Sequence, residues 1–237
     1  MKILITNDDG ITSDGIIRLA RTARKFGDVL VVAPEKQRSA ASHSITLHAH
    51  VDIFPHDFPV EGVTAWSCSG TPADCIRVGH RYLYNGETDL VLSGINHGYN
   101  VATDIQYSAT AGAAFEASFQ GIHGIALSEG PGGSHEVTDA YLEDVLRELL
   151  PQKLPVHEIW NVNFPDCPLS DFQGILRGRT VSCCNPFDDD YILSERLENG
   201  GERIVIADSV TKEAEEGSDF HAVLHHCLSI GTVKNIG

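Results

Sequence analysis

Short apolar runs that end in polar residues recur along this chain, and segments with helical spacing separate them. Ile3-Leu4-Ile5 is followed by "TNDDG", and "VLVVAP" (29–34) by a polar loop. "DLVLSGIN" (89–96), "GIALS" (124–128) and "HEIWNVNFP" (157–165) follow the same plan. These runs are too short for helices and are rich in β-branched residues, so each reads as a strand buried on both faces. Between them, Ile16, Leu19, Ala20 and Ala23 repeat at helical spacing after a Ser13-Asp14 start and before a stop at Gly27. "TPADCIRVGHRYL" opens with Thr71-Pro72, a good first-turn pair, and "SHEVTDAYLEDVLRELL" is amphipathic. A helix is also expected from about Thr110 to Phe119. Strands alternating with helices demand a parallel sheet covered on both faces, a doubly wound, Rossmann-like α/β fold.

"VTAWSCSG" (63–70) reads as one more strand. In "ITLHAHVDIF" (45–54), Ile45, Leu47, Ala49, Val51 and Ile53 alternate with polar residues, which predicts a half-buried strand. Past residue 168 the character changes. "GILRGRTVS", "DDDYILSERL" and "GERIVIADSV" read as β-hairpin pieces with charged turns. The expected organisation is an α/β catalytic core over 1–168. A C-terminal extension over 169–237 then provides a hairpin and an oligomerisation arm that packs back on the core.

Charge and cysteine content exclude some functions. With 33 acidic against 17 basic residues, the net charge of −16 argues against binding a nucleic acid polymer, which needs clustered Lys and Arg. No apolar stretch is long enough to cross a bilayer, and no secretory leader pattern is visible, so a cytoplasmic protein is expected. The six cysteines form no C-x-x-C pair and read as buried free thiols.

Ligands of open parallel sheets bind beyond the carboxyl ends of the strands. Here those ends carry oxygen. The first offers Asn7, Asp8 and Asp9, the second leads into Ser39, and "DLVLSGIN" ends in Ser93 and Asn96. Two carboxylates, a hydroxyl and an amide oxygen suit Mg²⁺, Mn²⁺ or Ca²⁺ rather than zinc. A divalent ion would also offset the repulsion between Asp8 and Asp9. As a bare pattern, "NDDG" also fits a turn. Twelve histidines fall into no zinc spacing, and His48, His50, His225 and His226 read as solvated surface groups. His43 and His97 differ, because each lies in a loop beside a proposed ligand. "YSAT" (107–110) sets Ser108, Ala109 and Thr110 at a helix N-terminus, where free N–H groups can hold a phosphate. Helix capping alone explains the same residues. No ATP-binding P-loop and no G-x-G-x-x-G occurs.

The ordered set "ILITNDDG", "VVAPEKQRSAASHSITL", "SGTPADC", "DLVLSGINHGYN", "YSAT" and "NVNFP" resembles the SurE (survival protein E) nucleotidases over residues 1–165. A fainter echo continues in "GSDFHAVLHHCLSI". The resemblance implies a metal-dependent phosphatase, a 5′-nucleotidase acting on nucleoside 5′- and 3′-monophosphates. It implies one divalent cation, Mg²⁺ or Mn²⁺, held by Asp8, Asp9, Ser39 and Asn96, with Asp8 and Asp9 catalytic. Phosphate would lie at Asn96, Ser108, Ala109 and Thr110. It also implies homodimers or homotetramers built through the C-terminal arm. This chain carries Ala40, Ala102 and Ala109 where the family usually has glycine. Ala109 falls in the phosphate loop and keeps open an alternative, a homologue that binds nucleotides with weakened turnover. A second alternative, a receiver-like Mg²⁺-binding signalling module, lacks an acceptor aspartate after "DLVLSGIN" and a lysine after "GIALS". A haloacid-dehalogenase-type phosphotransferase would need acids at D-x-D spacing. Adjacent acids diverge in an extended chain, so "DD" fits a ligand pair better.

Overall fold

The computed structural model describes residues 1–186, 190–207 and 213–235. The strands are β1 (Lys2–Thr6), β2 (Asp28–Pro34), β3 (Ile53–Pro55), β4 (Thr64–Cys68), β5 (Leu90–His97), β6 (His123–Glu129), β7 (Glu158–Phe164), β8 (Gly174–Arg179), β9 (Asp190–Arg196), β10 (Glu202–Ala207) and β11 (Cys227–Lys234). The helices are α1 (Asp14–Ala23), α2 (Pro72–Val78), α3 (Ala109–Phe119), α4 (Glu136–Leu149) and α5 (Asp219–Leu224). A π-helical turn, Gly79–Leu83, extends α2, and a 3₁₀ turn, Ala102–Gln106, precedes α3.

Among the described residues, nine strands form one sheet in the order β3-β4-β2-β1-β5-β6-β7-β11-β8. The run β4-β2-β1-β5-β6-β7 is parallel throughout. β1 pairs with β2 on one side and with β5 on the other, so the winding direction reverses between β1 and β5. Such a switch opens a crevice beyond the carboxyl ends of those two strands.

The apolar runs are continuous because both faces of the sheet are covered. Ile3 and Ile5 of β1 pack with Ile16 and Leu19 of α1 and with Val145 and Leu149 of α4. Leu4 points the other way, onto Ile76 of α2 and Ala113 and Ala117 of α3. Every residue of α3 from Ala109 to Ser118 is buried. Its small side chains let neighbouring backbone come close: a Cβ on Gly112 would lie 2.9 Å from both the His43 Cα and the Ser42 carbonyl.

Three expectations from the sequence change here. In the stretch 45–54, strand structure is confined to β3, which pairs antiparallel with β4, and Leu47 is 72% exposed. The alternation is real, but backbone contacts hold this segment as a loop against α2. Thr46 N–H and Oγ1 donate to Asp74, and the Ser44 carbonyl accepts from the Thr71 hydroxyl. "GILRGRTVS" contributes β8 to the main sheet, paired parallel with β11, rather than half of a hairpin. All six cysteines are free, yet Cys183 is exposed and Cys184 partly so.

The sheet therefore runs across residue 168, with β8, α5 and β11 seated on the core. Among the described residues, β9 and β10 pair as a separate two-stranded antiparallel ribbon. Asp188 and Asp189 of "DDDYILSERL", and Asp208–Val210 of "GERIVIADSV", lie outside the described residues. No helix among the described residues is long and apolar enough to cross a membrane.

Candidate metal and phosphate site

The turn after β1 is locked from within. Asn7 Nδ2 donates to the Gly10 carbonyl at 3.0 Å and to Ser13 Oγ at 2.7 Å, tying the start of α1 to the loop that carries both acids. Asp8 is 4% exposed. Its Oδ1 accepts a 2.7 Å hydrogen bond from the Thr110 hydroxyl, in the first turn of α3. Burial pushes the Asp8 carboxyl up to about 6, and the Asp9 charge adds to this, against the lowering effect of the Thr110 hydroxyl and backbone hydrogen bonds. Asp9 is half-buried, and its Oδ2 accepts from the His97 backbone N–H at 3.0 Å.

Asn96 reaches the same crevice from β5. Pairing of β5 with β6 shifts register between Ser93 and Asn96, a bulge of the kind that re-aims a strand end. Asn96 Nδ2 donates to the Gly98 carbonyl at 2.8 Å, which fixes the orientation of its amide. Ser39 arrives on the loop after β2. Gln37 Nε2 lies 3.0 Å from Ser39 Oγ and 3.4 Å from Asp9 Oδ1, linking the two. The Arg38 N–H donates to the Asp8 carbonyl at 2.7 Å.

Asp8, Ser39, Asn96 and Ser108 line one cavity of about 560 Å³, a volume ordinary for a small-molecule site. Asp9 joins through His97 and Gln37, and Thr110 through its bond to Asp8. Ser108 caps α3, with its hydroxyl accepting from Ala111 N–H, while its own side chain borders the cavity. Ala109 is buried at the first helical position and does not line the cavity. The left-handed backbone falls instead on Ala40 (φ 55°) and Ala102 (φ 52°), where a methyl group costs about 1 kcal/mol.

Two kinds of wall meet here. Beside the oxygen donors and the polar His97, Asn100 and Asp104, the cavity is lined by Tyr99, Val101, Tyr107, Pro131, Pro186, Phe220 and Leu224, a largely apolar set assembled from four distant segments. The sequence reading missed it. Its one legible trace was Phe220 and Leu224, four apart on a short helix capped by Ser218. Asp219 ties that helix down by accepting N–H groups of Ala102, Ser182 and Phe220.

No lysine or arginine among the described residues lines the cavity. Among the described residues no group of three or more His, Cys, Asp or Glu has the geometry to hold a metal. The donors that do converge are two carboxylates, a hydroxyl and an amide, which are hard oxygen ligands. A carboxyl raised chiefly by its own burial, beside a second acid and with no lysine or arginine among the described residues lining the cavity, fits a divalent cation at this position.

A crevice at the switch point of a parallel sheet, lined by oxygen donors and by apolar groups, defines an α/β protein with room for a small ligand. Comparison with known proteins narrows this. The family model for Survival protein SurE matches residues 3–183, and the chain belongs to that family. It is 36% identical to the 5′-nucleotidase SurE of Geobacter metallireducens, over 97% of this chain and 90% of that protein. It is 34% identical to the 5′-nucleotidase SurE of Clostridium botulinum, over 97% and 91%. The crystal structure of the SurE protein from Aquifex aeolicus superposes with a TM-score of 0.84 at 31% identity, covering 99% of this chain and 93% of that one.

Proposed function

We propose that this protein is a divalent-metal-dependent phosphomonoesterase that hydrolyses nucleoside 5′-monophosphates, and 3′-monophosphates with them, to nucleoside and phosphate. One observation carries the reading: Asp8, Ser39, Asn96 and Ser108 converge on a single cavity that is also lined by a set of apolar and aromatic residues. The oxygen donors suit a cation and the phosphoryl group it attracts, and the apolar lining suits a nucleobase. Asp8, Asp9, Ser39 and Asn96 would hold the ion, Mg²⁺ or Mn²⁺. That ion would polarise the phosphoryl oxygens and activate water at neutral pH.

The chain's own groups then have separate tasks. Thr110 fixes one oxygen of the buried Asp8 and so sets the carboxylate's direction. Asp9 is more open and is held by the His97 N–H, which places it to orient the attacking water or take its proton. The N-terminus of α3 sits next to Asp8, where its dipole favours negative charge. Ala109 gives no support to a binding-only homologue, because its backbone there is that of an ordinary first helical residue.

The apolar wall makes a prediction about substrates. Phosphate release from nucleoside monophosphates should exceed that from ribose 5-phosphate by about tenfold or more in kcat/KM, because burying a base strengthens binding of the whole substrate. Equal rates across such a panel would remove the nucleobase from the reading.

The chain on this reading works in the cytoplasm, where its free thiols stay reduced. We also propose a homodimer or homotetramer. Tyr191, Ile192, Leu193, Ile204, Val205 and Ile206 are all exposed on the β9–β10 ribbon, whose consecutive apolar positions face both ways. A lone two-stranded ribbon is marginal in water, and so large an apolar patch marks an interface. Light scattering should therefore give an oligomer. Replacing Ile192 and Ile204 by lysine should shift it toward monomer, and a monomeric parent would contradict the proposal.

A further inference from the structure

Ser39 is exposed and belongs to a loop with no regular structure of its own, yet it must meet groups from two other strand ends. What holds it is visible on both sides. Before it, the Arg38 N–H is bonded to the Asp8 carbonyl. After it come two non-glycine residues in the left-handed region, Ala40 (φ 55°) and Ser42 (φ 52°). Each costs about 1 kcal/mol, and such a backbone persists only where its surroundings over-determine it.

The surroundings here centre on His43. Its Nε2 donates to Glu116 Oε2 at 2.9 Å, and its ring packs on Phe119 at 5.2 Å between centroids. Glu116 is a buried acid in the middle of α3, 4% exposed. Gln120 donates to its other oxygen at 2.8 Å, and Arg77 of α2 lies 3.4 Å from that oxygen. Burial raises the Glu116 carboxyl, but hydrogen bonds from His43 and Gln120 and the charges of His43 and Arg77 outweigh it and hold it below its ordinary value. It is therefore an ionised acceptor at neutral pH. Next to His43, the Ser42 N–H donates to the Tyr107 carbonyl at 2.9 Å, in the segment that leads to Ser108. Gly112 leaves the loop backbone room to lie flat on α3.

We infer that His43, bonded to the buried Glu116, is a positioning residue that fixes the Ser39 loop against α3 and so completes the oxygen set around Asp8 and Asp9. The inference rests on the proposed metal site, but its first consequence does not. In metal-free protein, His43→Ala frees the loop to relax its left-handed residues. Hydrogen exchange at the Ser42 amide should then speed up by about tenfold or more, with the core strands unchanged. The second consequence concerns the ion. Groups that orient a ligand, without touching the metal, typically change its affinity by about 10- to 100-fold. Mn²⁺ binding followed by electron paramagnetic resonance should weaken about tenfold in His43→Ala. His43→Gln keeps a donor toward Glu116 and should recover most of both effects.

Ser39→Ala separates this inference from the reading beneath it. If Ser39→Ala weakens Mn²⁺ binding while His43→Ala does not, the positioning role is wrong. If Ser39→Ala leaves Mn²⁺ binding intact, Ser39 is not a ligand, and the exchange experiment alone decides. Faster Ser42 exchange in His43→Ala with recovery in His43→Gln then supports the clamp, and unchanged exchange overturns it. A His43→Gln protein as perturbed as His43→Ala would also overturn it, since the hydrogen bond would not be what matters.

Discussion

Asp9→Asn should lower phosphate release by about a thousandfold, equivalent to about 4 kcal/mol of barrier, while leaving the metal-free protein at least as stable as the parent. The two halves of this expectation have one cause. Asp9 adjoins Asp8, and its charge helps to raise the Asp8 carboxyl. Replacing it by the isosteric amide removes like-charge repulsion but retains an oxygen that can accept the His97 N–H. The fold therefore loses nothing. The site loses half of its formal charge for a cation and the carboxylate best exposed to a water. Thermal unfolding and phosphate release on the same preparation check both halves. A variant that keeps full activity would remove Asp9 from the chemistry, and one that unfolds early would make its role structural.

The second large effect is on stability. Arg18 of α1 and Glu129 at the end of β6 form a buried pair, with Nη1 to Oε1 at 2.7 Å and Nη2 to Oε2 at 3.2 Å. Arg18 is 9% exposed and Glu129 3%. Arg18 also donates to Asp139 of α4 through Nε at 2.9 Å and Nη2 at 2.7 Å, so one guanidinium joins α1, α4 and the sheet. Arg18→Ala leaves Glu129 buried, with His135 Nδ1 at 3.0 Å as its remaining ion-pair partner among the described residues. Breaking a buried pair from one side typically costs about 3–5 kcal/mol, a large part of a domain's total stability. Replacing both partners with leucine should restore most of that loss, because the penalty comes from the stranded charge. Urea unfolding of the single and double variants measures this directly. The effect should also reach the site, since the Glu129 carbonyl accepts the Gly98 N–H in the loop that follows Asn96. A single variant within about 1 kcal/mol of the parent would show that His135 and solvent already satisfy Glu129.

Much of this architecture was legible because it is local. β1, β2, β5, β6 and β7 announce themselves as apolar runs whose two faces are both buried, α1 and α4 as helical spacing, and α2 by the Thr71-Pro72 start that caps it. The placement of the proposed oxygen donors could be read for the same reason: Asp8, Asp9 and Asn96 sit at strand ends, and a parallel sheet places strand ends together. What could not be read depends on distant pairing. β11 enters the sheet between β7 and β8, and nothing in "CLSIGTVK" specifies those neighbours. Residues 45–52 carry a strand's alternation, but the Thr46 and Asp52 N–H groups donate to Asp74 of α2 and to Ser69, and the neighbouring Ser44 carbonyl accepts from Thr71. The apolar wall of the cavity gathers Tyr107, Pro131, Pro186 and Phe220, which only the folded chain makes neighbours. The glycine-to-alanine departures needed backbone angles to interpret. Ala109 proved ordinary, and Ala40 and Ala102 carry the left-handed conformation.

The most direct measurement is phosphate release from a nucleoside 5′-monophosphate by metal-stripped protein, before and after adding Mn²⁺ or Mg²⁺, with Asp9→Asn alongside. The proposal requires little release without metal, recovery with it, and no recovery in Asp9→Asn. Release that is indifferent to metal, or equally fast in Asp9→Asn, would contradict a cation held at the switch point of this sheet.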